Sequence, residues 1–115
     1  AQYYTMIAEM DSHFARIRAE YERLGLWDDT VVLFIADHGD MMGAHRMRLK
    51  GTLPYEELYR IPCMLKLPRG TRVARAVVDD LVSSVRAPAT LLKAAQIDVP
   101  DQFHNGDFYD APFQT

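Results

Sequence analysis

Asp37 and His38 stand side by side, ahead of Gly39 and Asp40, where the run Val31-Val32-Leu33-Phe34-Ile35 ends. A carboxylate is a hard oxygen ligand and an imidazole a nitrogen ligand, so the pair suits a divalent ion such as Ca²⁺, Mn²⁺, Mg²⁺ or Zn²⁺. Two adjacent ligands cannot complete a coordination shell, and the remainder must come from elsewhere. Asp40 is the next carboxylate. Its structural alternative is to hold the loop by accepting backbone N–H bonds. His45 and Lys50 follow in the same loop. A lysine over a metal site can hold a tetrahedral oxyanion, its fixed positive charge stabilising the negative charge of the transition state. A histidine beside it can protonate a leaving oxygen. Arg46 and Arg48 can also meet an anion, although such residues more often belong to a solvated surface. Asp-His-Gly alone fits a structural loop as well as a metal site; the added histidine and lysine favour a site.

These groups need a rigid support. Five consecutive apolar residues, mostly β-branched or aromatic, read as a strand buried on both faces, as in parallel sheets, where ligands gather beyond the carboxyl ends of the strands. Upstream, Ile7, Met10, Phe14, Ile17, Tyr21 and Leu24 recur at steps of three and four, which predicts a helix packing one stripe on a sheet. Arg16/Glu20 and Arg18/Glu22 can pair across one turn, His13 is a surface residue, and Gly25 ends the helix. From Met41 to Tyr59 no period holds, so a long loop with a turn or two of helix is expected; loops of that length are usually functional. Pro62 to Leu67 reads as a second strand, and strand, excursion, strand fits a crossover unit. A short strand is expected near Leu81-Val82-Ser83. Pro88 opens a helix whose apolar face is Leu91, Leu92 and Ala95. The segment from Asp98 onward reads as irregular.

A chain of 115 residues holds one modest core. Its net charge of -3, from 13 basic and 16 acidic residues, argues against nucleic acid as a partner, because phosphate neutralisation needs a concentrated basic surface. No run reaches membrane-spanning length, so no membrane segment is expected. The single cysteine, Cys63, cannot form an internal disulfide and reads as a small buried hydrophobe. The chain opens inside a helical pattern, which points to a single fragment, residues 1–115, of a longer protein.

The stretch from Asp29 to His45, continuing through Lys50-Gly51-Thr52-Leu53-Pro54-Tyr55-Glu56-Glu57 to Arg60-Ile61-Pro62, resembles the sulfatases, a branch of the alkaline phosphatase superfamily. Tyr3-Tyr4 and Glu9-Met10-Asp11 match the preceding helix of that family. Ser84 to Leu92 and Ile97-Asp98-Val99-Pro100 are similar to the family's next helix and its exit, with Arg86 and Gln96 where an acidic residue and a glycine are expected. The resemblance implies an α/β fold with a doubly wound, mostly parallel sheet flanked by helices. It implies hydrolysis of sulfate esters, with Asp37 and His38 binding a divalent metal, usually calcium. Lys50 would then contact the sulfate oxygens, and His45 would lie near the leaving group.

One departure stands out. The family carries its nucleophile in a Cys- or Ser-x-Pro-x-Arg segment whose first residue becomes formylglycine. These 115 residues contain no such segment, and Cys63 is followed by Met64-Leu65-Lys66. The formylglycine is therefore expected upstream, and the chain is expected to be a C-terminal part of the catalytic domain, inactive without its remainder. The implied partners are that remainder and a sulfate- or phosphate-type ester. Phosphonate monoester or phosphodiester hydrolysis is the alternative chemistry. A non-catalytic module that keeps the fold is the alternative class.

Overall fold

The first helix, α1, spans Gln2–Arg23 in a computed structural model that describes residues 2–72, 77–79, 81–103, 106 and 108. Gly25 ends it as the glycine requires. Its φ of +70 is left-handed, the Gly25 N–H donates to the Glu22 carbonyl at 3.0 Å, and the Leu26 N–H reaches back to Tyr21 at 2.9 Å. That pair of bonds is a Schellman closure, which satisfies carbonyls that the helix end leaves open. Arg18 pairs with Glu22 at 2.8 Å as expected, but Glu20 pairs with Arg23 at 2.6 Å rather than with Arg16. His13 is exposed, 3.7 Å from Glu9.

The stripe read as core is not buried. Ile7, Met10, Ile17, Tyr21 and Leu24 are all exposed, and only Phe14 is half-covered. Periodicity establishes that a helix has an apolar side; it does not supply the surface that covers it.

Backbone contacts divide the chain into two units: residues 1–30 with 67–71, and residues 31–66 with 72–115. In the first, α1 leads into a single 3₁₀ turn at Trp27–Asp29, where the Arg18 guanidinium lies 5.2 Å over the Trp27 ring. Asp28 ties in the second segment of that unit: its carbonyl accepts the Arg69 N–H and its carboxylate pairs with the Arg69 guanidinium, both at 2.7 Å.

In the second unit, β1 (Val32–Ile35) carries the expected β-branched and aromatic residues, but all four are half-buried rather than buried on both faces. It pairs with β2 (Cys63–Lys66), Val32 opposite Lys66 and Ile35 opposite Cys63. The pairing is antiparallel, so the segment between these strands is not the parallel crossover that the sequence pattern suggested. A run of apolar residues marks a strand but does not fix the direction of its neighbour. Cys63 is also corrected: it lies at the exposed end of β2, where partial burial raises its thiol pKa.

The long segment between the strands holds a 3₁₀ turn at Ala44–Arg46 and the one-turn helix α2 (Glu56–Tyr59), as expected of a loop with little helix. Met41 and Leu58 are buried and anchor it, each worth about 2 kcal/mol of apolar transfer. Further on, Leu81-Val82-Ser83 is exposed chain rather than strand. A 3₁₀ turn at Ser84–Arg86 runs directly into α3 (Ala87–Ala94), with Pro88 in its first turn. The buried residues of α3 are Ala89 and Thr90; Leu91 is exposed and Leu92 half-covered. The Thr90 hydroxyl donates to the Arg86 carbonyl and accepts the Phe108 N–H, both at 2.8 Å. Of the irregular C-terminal segment, residues 104, 105, 107 and 109–115 lie outside the described residues, as do 73–76 and 80 of the preceding stretch. Among the described residues, no helix is long and apolar enough to cross a membrane.

Candidate metal and oxyanion site

β1 ends at Ile35, and the chain turns sharply two residues later. The Asp37 carboxylate caps that turn, its Oδ1 accepting the His38 backbone N–H at 2.9 Å. The His38 ring folds back so that Nδ1 lies 2.8 Å from the Gly39 carbonyl oxygen. A carbonyl only accepts, so Nδ1 carries a proton, and in the neutral ring the Nε2 lone pair is left for a ligand. This is the arrangement by which metal-binding histidines are usually oriented. Nε2 lies 3.5 Å from Asp37 Oδ2, close to the spacing of about 3–3.5 Å between neighbouring donors on one divalent ion.

The electrostatics agree with that donor set. The Asp37 carboxyl is held below the ordinary aspartate pKa, chiefly by the N–H bond from His38, then by attraction to the His38 ring, with Lys50 adding the smallest attraction. A depressed carboxyl remains an anionic donor at neutral pH, although a surface carboxylate needs little help to do so. Asp37 is exposed, and among the described residues no third acidic, thiol or imidazole group joins the pair to form a metal cluster. A carboxylate and an imidazole suit a divalent ion by their chemistry, and most of such an ion's shell would have to come from other groups.

Asp40 takes the structural role instead: its Oδ1 accepts the Met42 N–H at 2.8 Å and closes the next turn. Beyond it the loop is conformationally costly. Met42, His45, Arg46 and Leu49 all have positive φ, between 48 and 65, as does Gly43 at 98. Each non-glycine residue there pays about 1 kcal/mol, which the buried Met41 and the local hydrogen bonds must offset.

Lys50, Arg46 and Arg48 are exposed at the end of this loop. Lys50 reaches Asp37 electrostatically. The His45 ring lies against the start of α2, stacked on Tyr55 with centroids 4.1 Å apart and with its Nε2 3.5 Å from Glu57 Oε1. Sequence reasoning missed both of these neighbours. It also missed why residue 39 is glycine: a Cβ there would fall on the Glu57 carbonyl oxygen. The Gly39 N–H donates to the Leu58 carbonyl at 2.9 Å, so the Asp37-His38 turn is fastened to α2 by backbone alone.

The sulfatase family profile matches residues 1–97, and the chain belongs to the sulfatase family. Its α/β, alkaline phosphatase-like class follows from that membership. The chain is 34% identical over 103 residues to an arylsulfatase of Clostridium perfringens, a match covering 88% of this chain and 21% of that protein. It is 33% identical over 94 residues to the multifunctional alkaline phosphatase superfamily protein PehA of Trinickia caryophylli, covering 81% of the chain and 18% of the relative. Arylsulfatase K of Rattus norvegicus is 35% identical over 100 residues, covering 87% and 17% respectively. The chain thus spans about a fifth of the length of these curated relatives. No solved structure matches it.

Proposed function

We propose that residues 1–115 are one stretch, towards the C-terminal side, of the catalytic domain of a sulfate-ester hydrolase, and that they carry its metal-and-lysine half. The observation behind this reading is the locked His38 ring, its free Nε2 beside the Asp37 carboxylate. Asp37 and His38 would hold a divalent metal, calcium in preference to Mn²⁺, Mg²⁺ or Zn²⁺ because the sulfatases usually take calcium. When bound, that ion supplies Lewis-acid polarisation of the ester and charge neutralisation. The remaining ligands and the formylglycine nucleophile belong to the rest of the domain, which is the chain's principal partner. In full, that domain would be built on the doubly wound, mostly parallel sheet of the superfamily.

The roles of this chain's own groups follow from their chemistry. Asp37 stays anionic and orients the His38 backbone. Lys50 binds the ester's non-bridging oxygens and stabilises the charge that builds on them. His45 gives a proton to the leaving oxygen. Kinetics on paired sulfate and phosphonate monoesters of the same alcohol, using the intact polypeptide, test the bond type, and peptide mass spectrometry tests the nucleophile. A preference for sulfate together with a formylglycine residue is the expected result. The second reading is phosphonate monoester or phosphodiester hydrolysis; the relative PehA is named a multifunctional alkaline phosphatase superfamily protein. A preference for the phosphonate would establish that reading.

A further inference from the structure

His45 has φ 51 and ψ 24, left-handed values that a residue with a Cβ adopts only where its surroundings enforce them. The backbone around it folds back on itself. The Gly43 N–H donates to Met47 at 2.9 Å, Ala44 to Met41 at 2.7 Å, and Met47 to Ala44 at 2.9 Å. The result sends the imidazole to the start of α2. There it lies against Tyr55 with ring planes inclined by 18°, and Nε2 meets the Glu57 carboxylate at ion-pair distance. The Tyr55 carbonyl accepts the Leu58 and Tyr59 N–H groups, so this residue is fixed as the N-cap of α2. The same turn also holds Gly39, through the Leu58 carbonyl. One short helix therefore fastens the Asp37-His38 turn by its backbone and His45 by its side chains.

We propose that Glu57, with Tyr55 stacked on the ring, is the positioning residue that orients His45 for proton transfer to the leaving oxygen. The inference rests on the leaving-group role proposed for His45. A half-exposed imidazole without such neighbours divides its time among rotamers, and only some of them are productive. Stacking on Tyr55 fixes the ring plane, and Glu57 fixes which nitrogen is left for substrate. With Nε2–H held by the carboxylate, Nδ1 is the nitrogen that exchanges a proton with substrate, as in other sites where a third group orients the acid–base residue. As the nucleophile supplied by the rest of the domain bonds to sulfur, the S–O bond to the leaving group breaks, its electron pair stays on the leaving oxygen, and that oxygen takes the Nδ1 proton. His45 is left neutral, with Nε2–H still on Glu57. The 3.5 Å separation is the kind of loose contact that tightens when substrate is bound.

The test uses the intact polypeptide and two substrates, an alkyl sulfate, whose leaving oxygen needs a proton, and 4-nitrophenyl sulfate, whose leaving oxygen hardly does. Glu57→Ala should lower kcat about tenfold on the alkyl sulfate and no more than about threefold on the nitrophenyl ester. Glu57→Gln, which still accepts Nε2–H, should recover most of that loss. The Glu57→Ala/His45→Ala double variant should be no slower than His45→Ala alone. Equal losses on both substrates with a lowered melting temperature would make Glu57 a purely structural residue and overturn the inference. A large His45→Ala loss without any Glu57→Ala loss would overturn it while leaving His45 in place. Full activity of His45→Ala on the alkyl sulfate would remove His45 from the mechanism and Glu57 with it.

Discussion

Gly39→Ala is the substitution whose consequence the structure specifies most tightly. The added methyl falls on the Glu57 carbonyl oxygen, with the Glu57 carbonyl carbon and Leu58 Cα close behind. All three are backbone, so no side chain can swing away. The Asp37-His38 turn must separate from α2, which strains or breaks the 2.9 Å bond from Gly39 to Leu58. Overpacking of this kind costs about 1–3 kcal/mol and an amide hydrogen bond about 1 kcal/mol, so the loss should be about 2–4 kcal/mol. The turn also carries both proposed metal donors, and its displacement should weaken divalent-ion affinity at least tenfold. Chemical denaturation of the intact protein reads the first effect, and calorimetric titration with Ca²⁺ reads the second. Gly51→Ala is the control: nothing lies within 4 Å of its added methyl, and it should change stability by less than about 0.5 kcal/mol. Wild-type stability and ion affinity in Gly39→Ala would refute the claim that α2 braces the turn.

Other consequences are as direct. Thr90→Val removes the acceptor of the buried Phe108 N–H and should cost about 1–3 kcal/mol in denaturant unfolding, whereas Thr90→Ser, which keeps the hydroxyl, should cost less. Gly25→Ala puts a Cβ at φ +70 in the Schellman closure and should cost about 1 kcal/mol, seen as fraying of α1 in hydrogen exchange at Leu24 to Leu26. The Asp37 carboxyl should titrate below the ordinary aspartate range by NMR. Because its folded pKa is depressed, its contribution to stability is fully present above the unfolded-chain value and is lost as pH falls through the folded one. Lys50→Ala should raise that midpoint only slightly, since the His38 N–H bond is the largest cause and Lys50 the smallest.

The parts of this chain that could be read from its sequence are those fixed by local chemistry. The amphipathic period and Gly25 delimit α1 because a glycine is what a left-handed helix end needs. Val32–Ile35 is a strand because its side chains suit a pleated, half-buried surface. Asp40 holding a turn was likewise visible in its residue type. What escaped depends on contacts distant in sequence. The antiparallel direction of β2 comes from pairing across a long segment, which no residue of either strand encodes by itself. The exposure of the α1 stripe and of Cys63 depends on which surfaces are present to cover them. The role of Gly39 lies in a carbonyl eighteen positions away, and the Tyr55 and Glu57 neighbours of His45 depend on positive φ at Met42, His45, Arg46 and Leu49, which none of those residue types announces.

The most direct test of the central claim is calcium-dependent hydrolysis of 4-nitrophenyl sulfate by the intact, chelator-treated polypeptide, compared with its Asp37→Ala and His38→Ala variants. The account predicts that calcium restores turnover to the wild type and that neither variant recovers at the same ion concentration. Wild-type rates in either variant, or turnover that needs no divalent ion, would contradict the assignment of Asp37 and His38 as metal donors.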